Sequence, residues 1–178
     1  MLFRSGLNMR ANDLALSALL CALTAILAQI QLPLTPVPVS LALLGVYLSA
    51  LTLPPRAALM AMGAYVILGA AGVPVYAGFA AGPGVLMGPT GGFLLGYAAC
   101  APVISRLKRR SVIAALLAGT GICYALGALW FMAVTGSPLY TCLISCVLPF
   151  LPGDALKALL AAALSRRLKA PLQRMRCS

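Results

Sequence analysis

The chain reads as long apolar runs separated by short interruptions of proline, glycine or basic residues. Taken in order, the runs predict helices over residues 13–31, 39–53, 57–72, 90–104 and 112–134. A sixth begins near 139, is broken at Pro149 and Pro152, and resumes to 164 before a basic tail. Asn12 and Asp13 stand where they cap the first helix, and Thr90 where it caps the fourth. Residues 32–38 carry three prolines and read as a turn. Residues 73–89 form an uncharged loop punctuated by Gly78, Gly82, Gly84 and Gly88 and by Pro74, Pro83 and Pro89. Such a loop suits either a movable lid over a cavity mouth or an ordinary tight turn.

Composition turns these helices into membrane helices. Hydrophobic residues make up 62% of the 178 positions and charged residues 8%, whereas a soluble domain carries charge at about a quarter. The chain therefore reads as one all-α integral membrane domain over 1–178, a bundle of six transmembrane helices. With the N-terminus placed in the cytoplasm, Arg4, Arg10, Arg56, the 106–110 cluster and the basic tail all fall inside. That is twelve of the thirteen Lys and Arg residues. The outer loops hold no charge. Both termini are expected to be cytoplasmic and the chain multi-pass in the cell membrane, in contact with lipid. The apolar run after Arg10 continues from 14 to 30, longer than a signal-peptide core, and reads as the first helix.

The net charge of +11 raises nucleic-acid binding. The basic residues lie between apolar runs rather than on one soluble face, so no nucleic-acid partner is expected. The chain has no histidine, its six cysteines include no CxxC pair, and it has no Walker A motif. No metal, cofactor or catalytic group is expected, and an enzyme is disfavoured by the presence of only two acids. A channel lacks a charged ring or filter motif. The cysteines read as small apolar packers, with Cys142 and Cys146 spaced to share a helix face.

The exceptional basic residue is Lys157. Asp154, one of the two acids, precedes it by three residues, so both lie on one helix face. Counting back from Arg166 puts Asp154 roughly 18 Å up the last helix, near the middle of a ~30 Å hydrocarbon layer. Each charge there costs at least ~2.5 kcal/mol. A pair that merely staples the bundle is one explanation. A ligand contact is the other, favoured by the preceding helix break, since broken helices at membrane depth line cavities. The restart also promises free backbone N–H groups beside Asp154. Acceptor and donor together would satisfy a urea-like group. On the first helix, Ala18 and Ala22 form a small-xxx-small face that serves internal packing or docks a partner membrane protein.

Three segments resemble the BioY family, the biotin-binding S components of energy-coupling-factor (ECF) transporters. They are Val-Pro-Val-Tyr-Ala-Gly at 73–78, Gly-Pro-Thr-Gly-Gly-Phe-Leu-Leu-Gly at 88–96, and Leu-Pro-Phe-Leu-Pro-Gly-Asp-Ala-Leu-Lys at 148–157. The resemblance extends over nearly the whole chain, from Ala28-Gln29-Ile30 and Pro36-Val37-Pro38 onward. It implies an S-component-like six-helix bundle and biotin captured from the outer side. It implies that Asp154 and Lys157 contact the fused-ring head, with Tyr65, Tyr76, Thr90 and Gly91 as further substrate-binding candidates. Ala18 and Ala22 would face a transmembrane coupling subunit, itself joined to ABC-type ATPases. The family usually has Gln in the segment where this chain has Ala42. An S component for another vitamin and a stand-alone biotin transporter are the alternatives.

Overall fold

The computed structural model describes residues 11–32 and 39–177. The Arg4 and Arg10 assignments, and the proline turn apart from Leu32, lie outside them. Eight helices follow one another: α1 (Ala11–Gln29), α2 (Ala42–Thr52), α3 (Pro55–Ala70), α4 (Pro83–Met87), α5 (Gly91–Leu107), α6 (Val112–Thr135), α7 (Leu139–Cys146) and α8 (Phe150–Cys177). Between α1 and α2, β1 (Gln31–Leu32) pairs antiparallel with β2 (Val39–Ser40). This ladder replaces the expected start of the second helix at Val39, because Val39 and Ser40 spend their backbone groups on β1. The helix proper begins at Ala42.

The short α2 is the centre of the bundle. Every residue from 42 to 51 is buried, which explains a helix that is apolar on all sides. α1, α3, α5 and α8 pack around it. Its C-terminal carbonyls would be unsatisfied in this surrounding. Lys108 Nζ donates to the carbonyls of Ala50 (2.8 Å) and Leu53 (2.6 Å), and Ser105 Oγ donates to that of Leu53 at 2.6 Å. A cation thus sits at the negative end of the α2 dipole. The sequence predicts a helix that ends at 104. α5 instead continues to Leu107, and Ser105 and Lys108 both cap a neighbour.

α5 and α6 form the most extensive helix pair. Glycine allows it: a Cβ on Gly92 would lie 2.6 Å from the Leu126 carbonyl oxygen and 2.2 Å from Trp130 Cβ, and one on Gly96 would lie 3.1 Å from Cys123 Cα. Gly92 and Gly96 make a GxxxG face. Cys21, Cys100, Cys123, Cys142 and Cys146 are free thiols buried in the interior.

Outside, the bundle is apolar. Leu19, Ile26, Ile67, Ile113, Leu117 and Leu159 are each between 63% and 71% exposed, a surface that suits lipid rather than water. α1 and α6 have the length and apolarity to cross a membrane. α2, α3 and α5 are apolar but shorter, at 11, 16 and 17 residues. The last helix also differs from expectation. Its only break lies at 147–149, Pro152 sits within the first turn of α8 where proline is tolerated, and the helix runs past 164 into the basic tail.

Gly92→Ala forces α5 away from the α6 backbone and should cost about 1–3 kcal/mol. Gly63→Ala on α3, where a Cβ meets nothing within 4 Å, should be neutral or slightly stabilising. Thermal midpoints of the two variants in one detergent check this. Equal midpoints would remove the close-packing account.

Candidate functional site

The site is organised by the helix break. Pro149 ends the path of α7, and Val147 takes non-helical angles (φ −120°, ψ −54°). Phe150 N–H and Leu151 N–H then both donate to the Val147 carbonyl, at 3.1 and 3.2 Å, and Pro152 has no N–H. The N–H groups of Phe150 and Leu151 are thus both engaged on the Val147 carbonyl. Asp154 and Lys157 follow one turn into α8.

Both side chains are buried, 4% and 5% exposed. Lys157 Nζ lies 2.7 Å from Asp154 Oδ1. The phenol of Tyr124, on α6, donates to Asp154 Oδ2. The carboxylate is thus held from both ends, and this bridges α6 to α8. Asp154 still has unused lone pairs, and the ion pair takes one of the ammonium's three donors.

A cleft leads away from this triad. Its inner part, about 30 Å³, is lined by Asp154, Lys157, Tyr124, Cys123 and Phe150 together with Ser40, Phe93 and Tyr97. Ser40, Phe93 and Tyr97 also line a larger chamber of about 200 Å³, whose wall includes Ala42, Tyr65, Tyr76 and Thr90. The two spaces share a wall. Together they offer a charged end and a wider, aromatic end. Phe93 and Phe150 stack with ring centroids 6.2 Å apart, and Tyr65 meets Tyr76 edge-on at 5.7 Å. The β1–β2 ladder brings Ser40 into the wall shared by the two spaces.

The segment 73–90 roofs the larger chamber. It is more structured than a plain loop, with a 3₁₀ turn at Ala77–Phe79 and the short α4. It is tied down at four places. Gly82 N–H donates to the Gly69 carbonyl of α3 at 2.7 Å. Gln29, at the end of α1, donates to the Tyr76 carbonyl (3.2 Å) and accepts from Phe79 N–H (2.8 Å). Tyr76 Oη donates to the Val66 carbonyl of α3 at 2.6 Å. Trp130 Nε1 donates to the Gly88 carbonyl at 3.0 Å. Phe79 holds a positive φ of 58° here.

The predicted site residues divide as follows. Asp154, Lys157, Tyr65, Tyr76 and Thr90 all face the cleft. Thr90 makes no capping bond to α5; its hydroxyl instead points to the Val85 carbonyl at 3.5 Å. Gly91 packs against Leu86: a Cβ there would meet the Leu86 carbonyl oxygen at 1.7 Å, so its contribution is close approach of backbone. Ala18 and Ala22 are exposed on α1, which removes internal packing as their explanation. Ala42 forms part of the chamber wall. Sequence reasoning did not anticipate Tyr124, Tyr97, Ser40 or the clamping roles of Gln29 and Trp130. A tyrosine amid apolar residues on α6 carries no signal of its own, because its partner is thirty positions away.

A family model for the BioY family matches residues 4–174. A protein of Pyrococcus horikoshii named a probable biotin transporter BioY is 36% identical over 162 residues, covering 90% of this chain and 98% of that protein. The biotin transporter BioY of Thermotoga maritima is 37% identical, over 89% of this chain and 96% of its own. Among solved structures, the S-component for biotin from an ECF-type ABC transporter superposes with a TM-score of 0.80 at 30% identity, covering 91% of this chain and 95% of that one.

Tyr124→Phe removes the bond to Oδ2 and leaves a buried carboxylate oxygen short of a partner. Stability should fall by about 1–3 kcal/mol. Combined with Asp154→Asn, the loss should be less than the sum of the two single losses, because the two residues act through one hydrogen bond. Thermal denaturation of the double-mutant cycle measures this; strict additivity would separate Tyr124 from the pair.

Proposed function

The chain belongs to the BioY family, and from that membership we propose that it captures biotin at the outer membrane face as the substrate-specific S component of an ECF-type transporter. The observation that carries the reading is a buried Asp154–Lys157 pair lining a small cavity that shares a wall with a wider aromatic chamber. Biotin has matching parts. Its ureido ring presents N–H donors to Asp154 and a carbonyl acceptor to Lys157, and its apolar ring and valerate chain suit the wider chamber among Tyr65, Tyr76, Phe93 and Tyr97. Thr90 adds a hydroxyl near the chamber mouth. The clamped segment 73–90 acts as the lid, opening when its ties to Gln29 and Trp130 are released.

Six membrane passages with both termini cytoplasmic remain the topology that accommodates the charges. The short α2 runs inside the protein rather than against lipid, and the α7–α8 pair forms the sixth passage across its break. Ala18 and Ala22, small and outward-facing on α1, form the docking face for a transmembrane coupling subunit that recruits ABC-type ATPases.

Three measurements test this reading. Asp154→Asn and Lys157→Met should each weaken biotin about tenfold to more than a hundredfold, the scale of a ~1.5–3 kcal/mol charged hydrogen bond. Calorimetry, with folding checked separately, reads the affinity; parent-like binding in both folded variants would make the pair structural only. For topology, a cysteine at Gly84 should react with an impermeant maleimide in intact cells and one at Arg110 should not, in a background lacking the native thiols. Lys108 is unsuitable as a probe position because it caps α2. Labelling at Arg110 would overturn the orientation. Finally, leucine at both Ala18 and Ala22 should leave biotin affinity intact and reduce uptake by cells carrying the coupling module. Undiminished uptake would clear α1 of the docking role.

A further inference from the structure

α6 and α8 diverge along the side of the bundle. α8 packs chiefly on α2, and between α6 and α8 lies an apolar groove of about 310 Å³. One wall presents Ile113, Leu117 and Thr120, the other Ala155, Leu159 and Ala162, spacings that put each set on one helix face. Ile113, Leu117 and Leu159 are 71%, 68% and 68% exposed, so the groove opens outward. Tyr124 and Asp154 close one end. At the other end, exposed Arg110 precedes Ile113 by three residues, and exposed Arg166 follows Ala162 by four, continuing the same face of α8.

Lining and end charges together suit a lipid. Each wall runs about eleven residues, roughly 16 Å of helix. Over that length the groove is open to the outer surface of the bundle and lined almost wholly by apolar atoms, with about 310 Å³ of space. An extended hydrocarbon chain suits such a space. The arginines at one mouth add the complementary charge for a phosphate. We infer that the groove holds one acyl chain of an anionic phospholipid, with its phosphate over Arg110 and Arg166 and its chain end beneath the Tyr124–Asp154 hydrogen bond. In the proposed orientation this lipid belongs to the cytoplasmic leaflet. Its chain keeps water from reaching Asp154 from the lipid side, so the ion pair meets solvent and substrate only through the cleft.

The full chain, delipidated in an uncharged detergent, is titrated with phosphatidylglycerol or phosphatidylcholine of identical acyl chains and followed by native mass spectrometry. Phosphatidylglycerol should be retained about tenfold or more tightly than phosphatidylcholine, as two basic contacts allow. Arg110→Gln with Arg166→Gln should erase the preference. Leu159→Trp should fill the groove and release the lipid while biotin affinity is kept. In the unmodified protein, a phosphatidylglycerol with a photoreactive group at its chain end should crosslink to residues 117–124 or 151–155. Equal retention of the two lipids, or crosslinks spread over all helices, would overturn the proposal. So would a Leu159→Trp variant that keeps its lipid but no longer co-purifies with the coupling subunit, since that outcome makes the groove a protein interface.

Discussion

A carboxylate and an ammonium buried in an apolar bundle impose a condition on everything around them: neither survives there without the other. Removing water from each charge costs several kcal/mol, and only close pairing with further hydrogen bonds repays it. Asp154 and Lys157 meet that condition at 2.7 Å, and the Tyr124 phenol engages the second carboxylate oxygen. Because the tyrosine stands on α6 and the pair on α8, the electrostatic requirement also sets the distance between these helices. The break at 147–149 supplies the start of a new helix whose second turn aims both groups inward.

The remaining polar groups follow the same logic at the ends of helices. α2 is too deeply buried for water to satisfy its last carbonyls, and Lys108 and Ser105 do so from the neighbouring helix end. On the opposite face the roof over the cleft is tied through Gln29, Tyr76 and Trp130. Together with Gly82 N–H on the Gly69 carbonyl, these ties bind separate elements, α1, α3 and α6. Tyr76 is also packed into the interior beside Tyr65 and Val66, so the roof is anchored there and held elsewhere by hydrogen bonds, and those regions open at lower cost than the core. The α5–α6 contact, by contrast, is a backbone-to-backbone approach through glycine and resists such movement.

Much of this was legible beforehand. The approximate limits of the long helices follow from runs of apolar residues, since a helix in lipid must satisfy its own backbone. α6 was expected over 112–134 and is found at Val112–Thr135. Asp154 and Lys157 stood out because charge is rare in such a chain, and i,i+3 spacing made them neighbours without any knowledge of the fold. The errors fall where local pattern competes with long-range contact. Val39 and Ser40 suit a strand or a helix, and pairing with Gln31 and Leu32 decides it. Lys108 looks like any cytoplasmic lysine until α2 is seen to end beside it.

Composition, periodicity and neighbouring residues are enough to read off the solvent, most of the long helices, the Asp154–Lys157 pair and the family. Which residues line the cavities beside that pair depends on how the helices pack. Tyr124 lies thirty positions from Asp154, Gln29 forty-seven from Tyr76 and Trp130 forty-two from Gly88. Separations of that size leave no mark on local pattern: a hydrogen bond between distant residues exists only once packed helices have brought donor and acceptor within reach.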